Sequence, residues 1–316
     1  MKIALLILKL TITASLCIWL FTRVDLQALQ EGLARLGAIP IVLGVMLHVA
    51  VVILSALRWW ILLQHTHAAI PFFRAFPSYY LGVFFNNFLP TGFGGDTVRI
   101  LHMRIHGVSM KSLVSASVVD RSIGFATIFI VGLFGVVVTD ELRIPNHSKI
   151  ILFGLFLGCL SAAGWLLSRR GGRLIESLGK KYRHTRVRSW ILDVLRTCYS
   201  YRAEKTRILL ALAITTTGYA LVILTYYLLG RGLGLDISVT TYIVTIPAIF
   251  LAASLPISIG GLGIREGTLV AMLVAAGADF HLAITLSLLY LIVLWLSTLP
   301  GALVPLLSRT GKITVS

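Results

Sequence analysis

The sequence predicts an all-α, polytopic membrane protein made of two inverted-topology repeats, each holding a broken helical hairpin that enters and leaves the bilayer on one face. Three observations carry that expectation. The chain is 57% hydrophobic and 13% charged, with a mean hydropathy of +0.92, a balance foreign to water-soluble domains. One pattern, Leu-Pro-x3-Gly-Gly-x3-Arg, occurs twice, as LPTGFGGDTVR at 89–99 and LPISIGGLGIR at 255–265. Lys and Arg, finally, gather on one set of segments between the apolar runs, as cytoplasmic loops do.

Apolar runs long enough to cross about 30 Å of hydrocarbon lie near 3–22, 39–57, 113–138, 150–167, 208–229 and 282–307. The first begins after Lys2 in the manner of a signal peptide, but Lys9 interrupts its apolar core, which favours an uncleaved helix. Between the runs lie two broken segments, 75–98 and 240–276, each carrying one copy of the pattern. Backbone freed by Pro and Gly at membrane depth must be buried in protein or line a wet cavity. Matched interruptions in two halves of a membrane protein point to a transport site.

With a cytoplasmic N-terminus and both broken segments re-entrant, 20 Lys/Arg fall inside and five outside. Arg58, Arg74 and Arg99 are counted among the inside bases, and twelve more lie in the stretch 168–207, read as a basic cytoplasmic loop able to touch anionic headgroups. The net charge of +16 thus reflects topology rather than nucleic-acid binding. A shift of 166 residues, the spacing of the motifs, lays 39–57 on 205–223 and 113–138 on 279–304. Residues 1–316 therefore read as a single membrane domain, with 1–140 as the first repeat and 141–316 as the second. Both termini are cytoplasmic, and the two hairpins enter from opposite faces.

Acids are rare enough to weigh singly. Asp25, Glu31, Asp140, Glu141, Asp236 and Asp279 fall in outside loops, whereas Asp96, Asp120 and Glu266 fall where the membrane should be, near Arg99, Arg121 and Arg265. Intramembrane ionisable residues mark functional sites and need partners. Asp96 and Arg99 are three apart and meet if a helix restarts after Gly95, whose amide, with that of Gly94, could then face an anion. Asp120 and Arg121 point about 100° apart on their helix, so one of them must reach across to a hairpin. Asn86 and Asn87 precede the first break and can satisfy freed carbonyls or bind ligand; Gly260 and Gly261 occupy the matching place in the second. These twelve residues form the candidate substrate site.

Weaker signals carry less. His102 and His106 read with Arg104 as a juxtamembrane basic face, Gly261-Leu262-Gly263 follows no strand and does not read as a dinucleotide loop, and Cys17, Cys159 and Cys198 lack paired spacing. No cofactor, metal or catalytic residue is expected.

The segments NNFLPTGFGGDTVR at 86–99, SASVVDRSIG at 115–124 and LPISIGGLGIREG at 255–267 resemble the signature segments of the lysylphosphatidylglycerol synthase transmembrane family, the flippase-like membrane domain. In the synthases that domain accompanies a soluble aminoacyl transferase. No such domain is read in this chain, so a stand-alone member without synthase activity is expected. The resemblance implies movement of lipid between leaflets, with phospholipids, polyprenyl-linked sugars and hopanoids among the cargo of the family, and it places Asp96, Arg99, Asp120, Arg121, Arg265 and Glu266 at charged motif positions. The expected function is a lipid flippase or transporter of the inner membrane. A membrane-embedded enzyme acting on a lipid-linked substrate, with Asp120 or Glu266 as base, and a channel of paired half-helices are the alternatives.

Overall fold

The computed structural model describes residues 2–23, 26–66, 70–89, 94–139, 154, 157–158, 186–255 and 257–307. Among them the secondary structure is helical throughout: α1 (Lys2–Thr22), α2 (Leu26–Leu36), α3 (Ala38–Gln64), α4 (Phe72–Asn86), α5 (Gly94–Arg104), α6 (Met110–Val138), α7 (Arg186–Ser200), α8 (Lys205–Gly232), α9 (Val239–Ser254), α10 (Ile264–Ala275), α11 (Phe280–Thr298) and α12 (Val304–Leu307), with 3-10 turns at Tyr201–Ala203, Ile259–Gly261 and Leu299–Leu303.

Four stretches are long and apolar enough to span a membrane: Ala38–Gln64, Met110–Val138, Lys205–Gly232 and Phe280–Leu303. They match four of the predicted runs, and α1 covers a fifth; the run 150–167 lies outside the described residues apart from isolated positions. Local sequence sets several starts. Ser109 accepts from the Ser112 amide ahead of α6, Ser238 from the Thr241 amide ahead of α9, and Asp279 from the His281 and Leu282 amides ahead of α11, each satisfying donors that a helix N-terminus leaves open. The outer faces stay apolar: Ile39, Val42, Met46 and Ile53 of α3 and Phe134 and Val137 of α6 are exposed, as suits helices whose solvent is lipid.

Both predicted breaks are present as helix–break–helix units, α4 to α5 and α9 to α10, and the two helices of each unit pack together. Pro90 and Pro256 lie outside the described residues. The packing of the bundle nearly reproduces itself when α2, α3, α4, α5 and α6 are exchanged for α7, α8, α9, α10 and α11. Thus α3 lies on α4 and α8 on α9, α5 on α6 and α10 on α11, α6 on α9 and the end of α11 on α4, while α3 and α8 pack on each other. Glycines make the matching approaches possible. A side chain at Gly135 of α6 would meet the Val244 backbone of α9 at 2.9 Å, and one at Gly301, beyond α11, would meet the Tyr80 carbonyl of α4 at 2.6 Å. Small residues are how membrane helices pack closely.

Three expectations need correction. The stretch 168–207 is not simply a loop: residues 186–200 form α7, which docks on α6, while 168–185 lie outside the described residues. Val187, Ile191, Val194 and Cys198 recur at helical spacing there, a period masked by the count of arginines. The Tyr201 hydroxyl donates to the Leu62 carbonyl at 2.8 Å, and burial pushes the Cys198 thiol up to about 11. Arg58 is not a loop base either, because α3 runs on to Gln64 and buries it. The segment containing α2, read as loop, is also helical; Leu26, Leu29, Leu33 and Leu36 supply its period.

The closest approach within the first unit is at Gly82 and Gly95, where each glycine faces the other's carbonyl. Replacing Gly95 with Ala drives a methyl into the Gly82 carbonyl and the Asn86 amide, and should destabilise the purified protein by about 1–3 kcal/mol. Gly124→Ala, with nothing within 4 Å, should leave thermal unfolding unchanged; equal effects of the two would contradict this packing.

Candidate functional site

The site begins with the two breaks, because each leaves backbone groups without helical partners. In the first, Asn86 Oδ1 accepts from the Gly95 amide at 2.9 Å and Asn87 Nδ2 donates to Thr298 Oγ1 at 2.9 Å. Asn86 thus caps the restart of the helix, Asn87 ties the break to the end of α11, and the Gly95 amide, expected to face an anion, already has its partner. In the second, Gly260, Gly261 and Gly263 adopt positive φ of 59°, 76° and 82°, a region closed to most residues. Glu266 Oε2 accepts from the Gly263 amide at 2.6 Å, and the Ile259 amide donates to Thr13 Oγ1 at 3.0 Å. The breaks touch: a side chain at Gly260 would stand 2.6 Å from the Asn87 carbonyl oxygen.

Beside the first break lies a charged network. Asp120 of α6, buried, accepts from Arg58 Nε at 2.6 Å through Oδ1 and from Arg99 Nη2 at 3.2 Å through Oδ2. Arg58 also donates to Thr215 Oγ1 of α8 at 2.9 Å. Asp96, in the first turn of α5, pairs with Arg99 at 3.0 Å and with Arg121. The Arg99 guanidinium sits between the Trp59 and Tyr79 rings, at 4.9 and 4.8 Å from their centroids, where cation–π attraction replaces lost hydration. The predicted residues Asp96, Arg99, Asp120 and Arg121 therefore come together, with both Asp120 and Arg121 reaching the hairpin.

Arg265 and Glu266 form a second, separate pair: Glu266 Oε1 accepts from Arg265 Nε at 2.8 Å and from Nη2 at 2.5 Å. Near it, His48 Nδ1 lies 3.3 Å from the Tyr290 hydroxyl, and the Tyr226 and Tyr290 rings stack at 3.8 Å.

Three small cavities link the two charged groups. One of about 220 Å³ is lined by Arg58, Asp120, Arg121 and Tyr219; a second, about 200 Å³, shares Arg58, Tyr219 and Phe250 with it and adds Ser55 and Thr215. The third, about 210 Å³, shares Ser55 and Phe250 with the second and ends on Arg265 and His48. Three arginines and one carboxylate thus line the series, the remaining walls being largely apolar. Arg99 lines none of the three and belongs to the packed network.

The family model for the lysylphosphatidylglycerol synthase TM region matches residues 6–301. The chain belongs to this family. Among its relatives, two UPF0104 membrane proteins of Methanothermobacter thermautotrophicus are each 23% identical to it, one over 278 residues (79% of this chain and 80% of the relative), the other over 267 residues (76% of each). Within this family member the sequence reading missed Arg58, His48, Tyr219 and Thr215. Arg58 stands between the apolar runs VAVVILSAL and WWILL. Extending the predicted span to Gln64 would have exposed it as an intramembrane charge.

Removing one partner of a buried charge network strands the others. Asp120→Asn should lower the stability of the detergent-purified protein by about 3–5 kcal/mol, whereas Arg121→Gln, nearer the cavity edge, should cost about 1 kcal/mol. Thermal unfolding checks this; equal losses would mean that Asp120 is not the tie.

Proposed function

We propose that this protein moves a lipid with an anionic headgroup, such as a phospholipid or a polyprenyl-linked phosphate, from one leaflet to the other without altering it covalently. The observation that carries this reading is that arginines, more than carboxylates, face the cavities. Arg58, Arg121 and Arg265 line them with Asp120, and with Arg99, Asp96 and Glu266 counted the site holds four arginines against three carboxylates, an excess of one positive charge. In a low-dielectric interior such an excess favours an anion, and guanidinium groups are the donors best shaped for phosphate and carboxylate.

Each arginine has a distinct duty in this scheme. Arg265, clamped by Glu266, presents charge at one end of the series; Arg121, held by Asp96, presents it at the other; Arg58 bridges them while tied to Asp120 and Thr215. The headgroup moves along the arginines while its chains stay in lipid. The recurrence of the motif and the matching packing of the halves support inverted repeats. Their hairpins enter from opposite faces, so that each end of the series serves one leaflet. The charge bias supports residence in the inner membrane with both termini cytoplasmic and the basic stretch 168–207 against anionic headgroups.

The test is reconstitution into vesicles carrying fluorescent lipids. The protein should speed translocation of an anionic phospholipid or polyprenyl phosphate well above the protein-free rate, and Arg265→Ala should slow it about tenfold, the loss of about 1.4 kcal/mol of headgroup interaction. No acceleration for any lipid, solute flux without lipid movement, or a covalently altered lipid would overturn the proposal, the last two favouring a channel or an enzyme.

A further inference from the structure

The largest cavity described lies apart from the central series. It is a groove of about 520 Å³ where α3, α4 and α5 meet the 3-10 turn and short helix after α11, and it shares no lining residue with the three central cavities. Its size falls in the range of ligand sites.

Its two ends differ in chemistry. At the foot of the first hairpin stand Arg74, from the first turn of α4, His102, from the last turn of α5, and His106 just beyond it. His102 is fixed by a 2.8 Å contact between its Nδ1 and Ser78 Oγ, and its ring centroid lies 5.8 Å from that of His106. Among the described residues, no Asp or Glu lines the groove. The walls running away from this rim are apolar, built from Phe76, Pro77, Tyr80, Pro300 and Val304. The floor is firm: the Tyr80 hydroxyl donates to the Ser297 carbonyl at 2.5 Å, and the rings of Phe76 and Tyr80 lie 5.4 Å apart.

The surroundings say which solvent the groove opens to. Phe73, on its edge, is 73% exposed, and Leu101 of α5 and Ile105 just beyond it are 50% and 66% exposed. Side chains of that kind around a basic rim belong at the boundary between hydrocarbon and headgroups. A soluble anion would use the rim and leave the apolar walls empty.

We infer that this groove is a resident-lipid site for an anionic phospholipid, with the phosphate at Arg74, His102 and His106 and one acyl chain along Tyr80, Pro300 and Val304. The lipid ties the foot of the first hairpin to the end of α11. The site stands whether or not the central cavities carry cargo.

Native mass spectrometry of the detergent-purified protein, with phosphatidylglycerol or phosphatidylcholine added, tests it. Wild type should retain phosphatidylglycerol in preference. Combined Arg74→Ala and His106→Ala, both at exposed positions, should lower that retention about tenfold and erase the preference, and Val304→Trp should remove the bound lipid by filling the groove. Leu209→Ala, on the exposed face of α8 and outside every cavity described, should leave it in place. Unchanged retention in the rim variant or in Val304→Trp would overturn the inference.

Discussion

Asp120 is the constraint on which the first half depends. A carboxylate in a membrane-spanning helix is tolerated only when paired and hydrogen-bonded, and this one takes an arginine on each oxygen, Arg58 from α3 and Arg99 from α5. Arg58 extends the tie to Thr215 of α8. One side chain thereby commits α3, α5, α6 and α8 to a single arrangement. Arg99, held between the Trp59 and Tyr79 rings as well, lines none of the central cavities, whereas the second motif's arginine, Arg265, lines one.

The two breaks solve one problem by different means. The first borrows the Asn86 side chain for the Gly95 amide and ties Asn87 across to the Thr298 hydroxyl. The second uses left-handed glycines with Glu266 turned back on the Gly263 amide, and recruits Thr13 from α1 for the Ile259 amide. At these three amides, Gly95, Gly263 and Ile259, backbone freed from helices is satisfied inside the protein, as hydrocarbon requires. The breaks lie close enough at Asn87 and Gly260 that a shift in either is felt by the other.

The periodic parts of the fold were legible in the sequence. Apolar runs fixed α3, α6, α8 and α11, and Pro-Gly interruptions marked the α4–α5 and α9–α10 units. The amphipathic α2 and α7 were not read, because their polar faces and flanking charge made them resemble loops. At the site, scarcity of acids singled out Asp96, Asp120 and Glu266, but an acid's partner distant in sequence has no local signature. Arg58 lies 62 residues from Asp120, and His48 looks like any residue of an apolar helix. The glycines and asparagines mark the breaks in the sequence, but nothing local says that Asn86 closes on the Gly95 amide or that Asn87 reaches across to Thr298.

The central claim is that one arginine-lined passage is reached in turn from both leaflets. Ser55 lines both the cavity shared with Arg58 and the cavity ending on Arg265, so it reports on the junction. In a background with Cys17, Cys159 and Cys198 replaced by serine, Ser55→Cys should react with a small membrane-impermeant thiol reagent in both right-side-out and inside-out vesicles, and added anionic lipid should slow the reaction from either side. Reaction from one face alone, under all lipid conditions, would contradict the account.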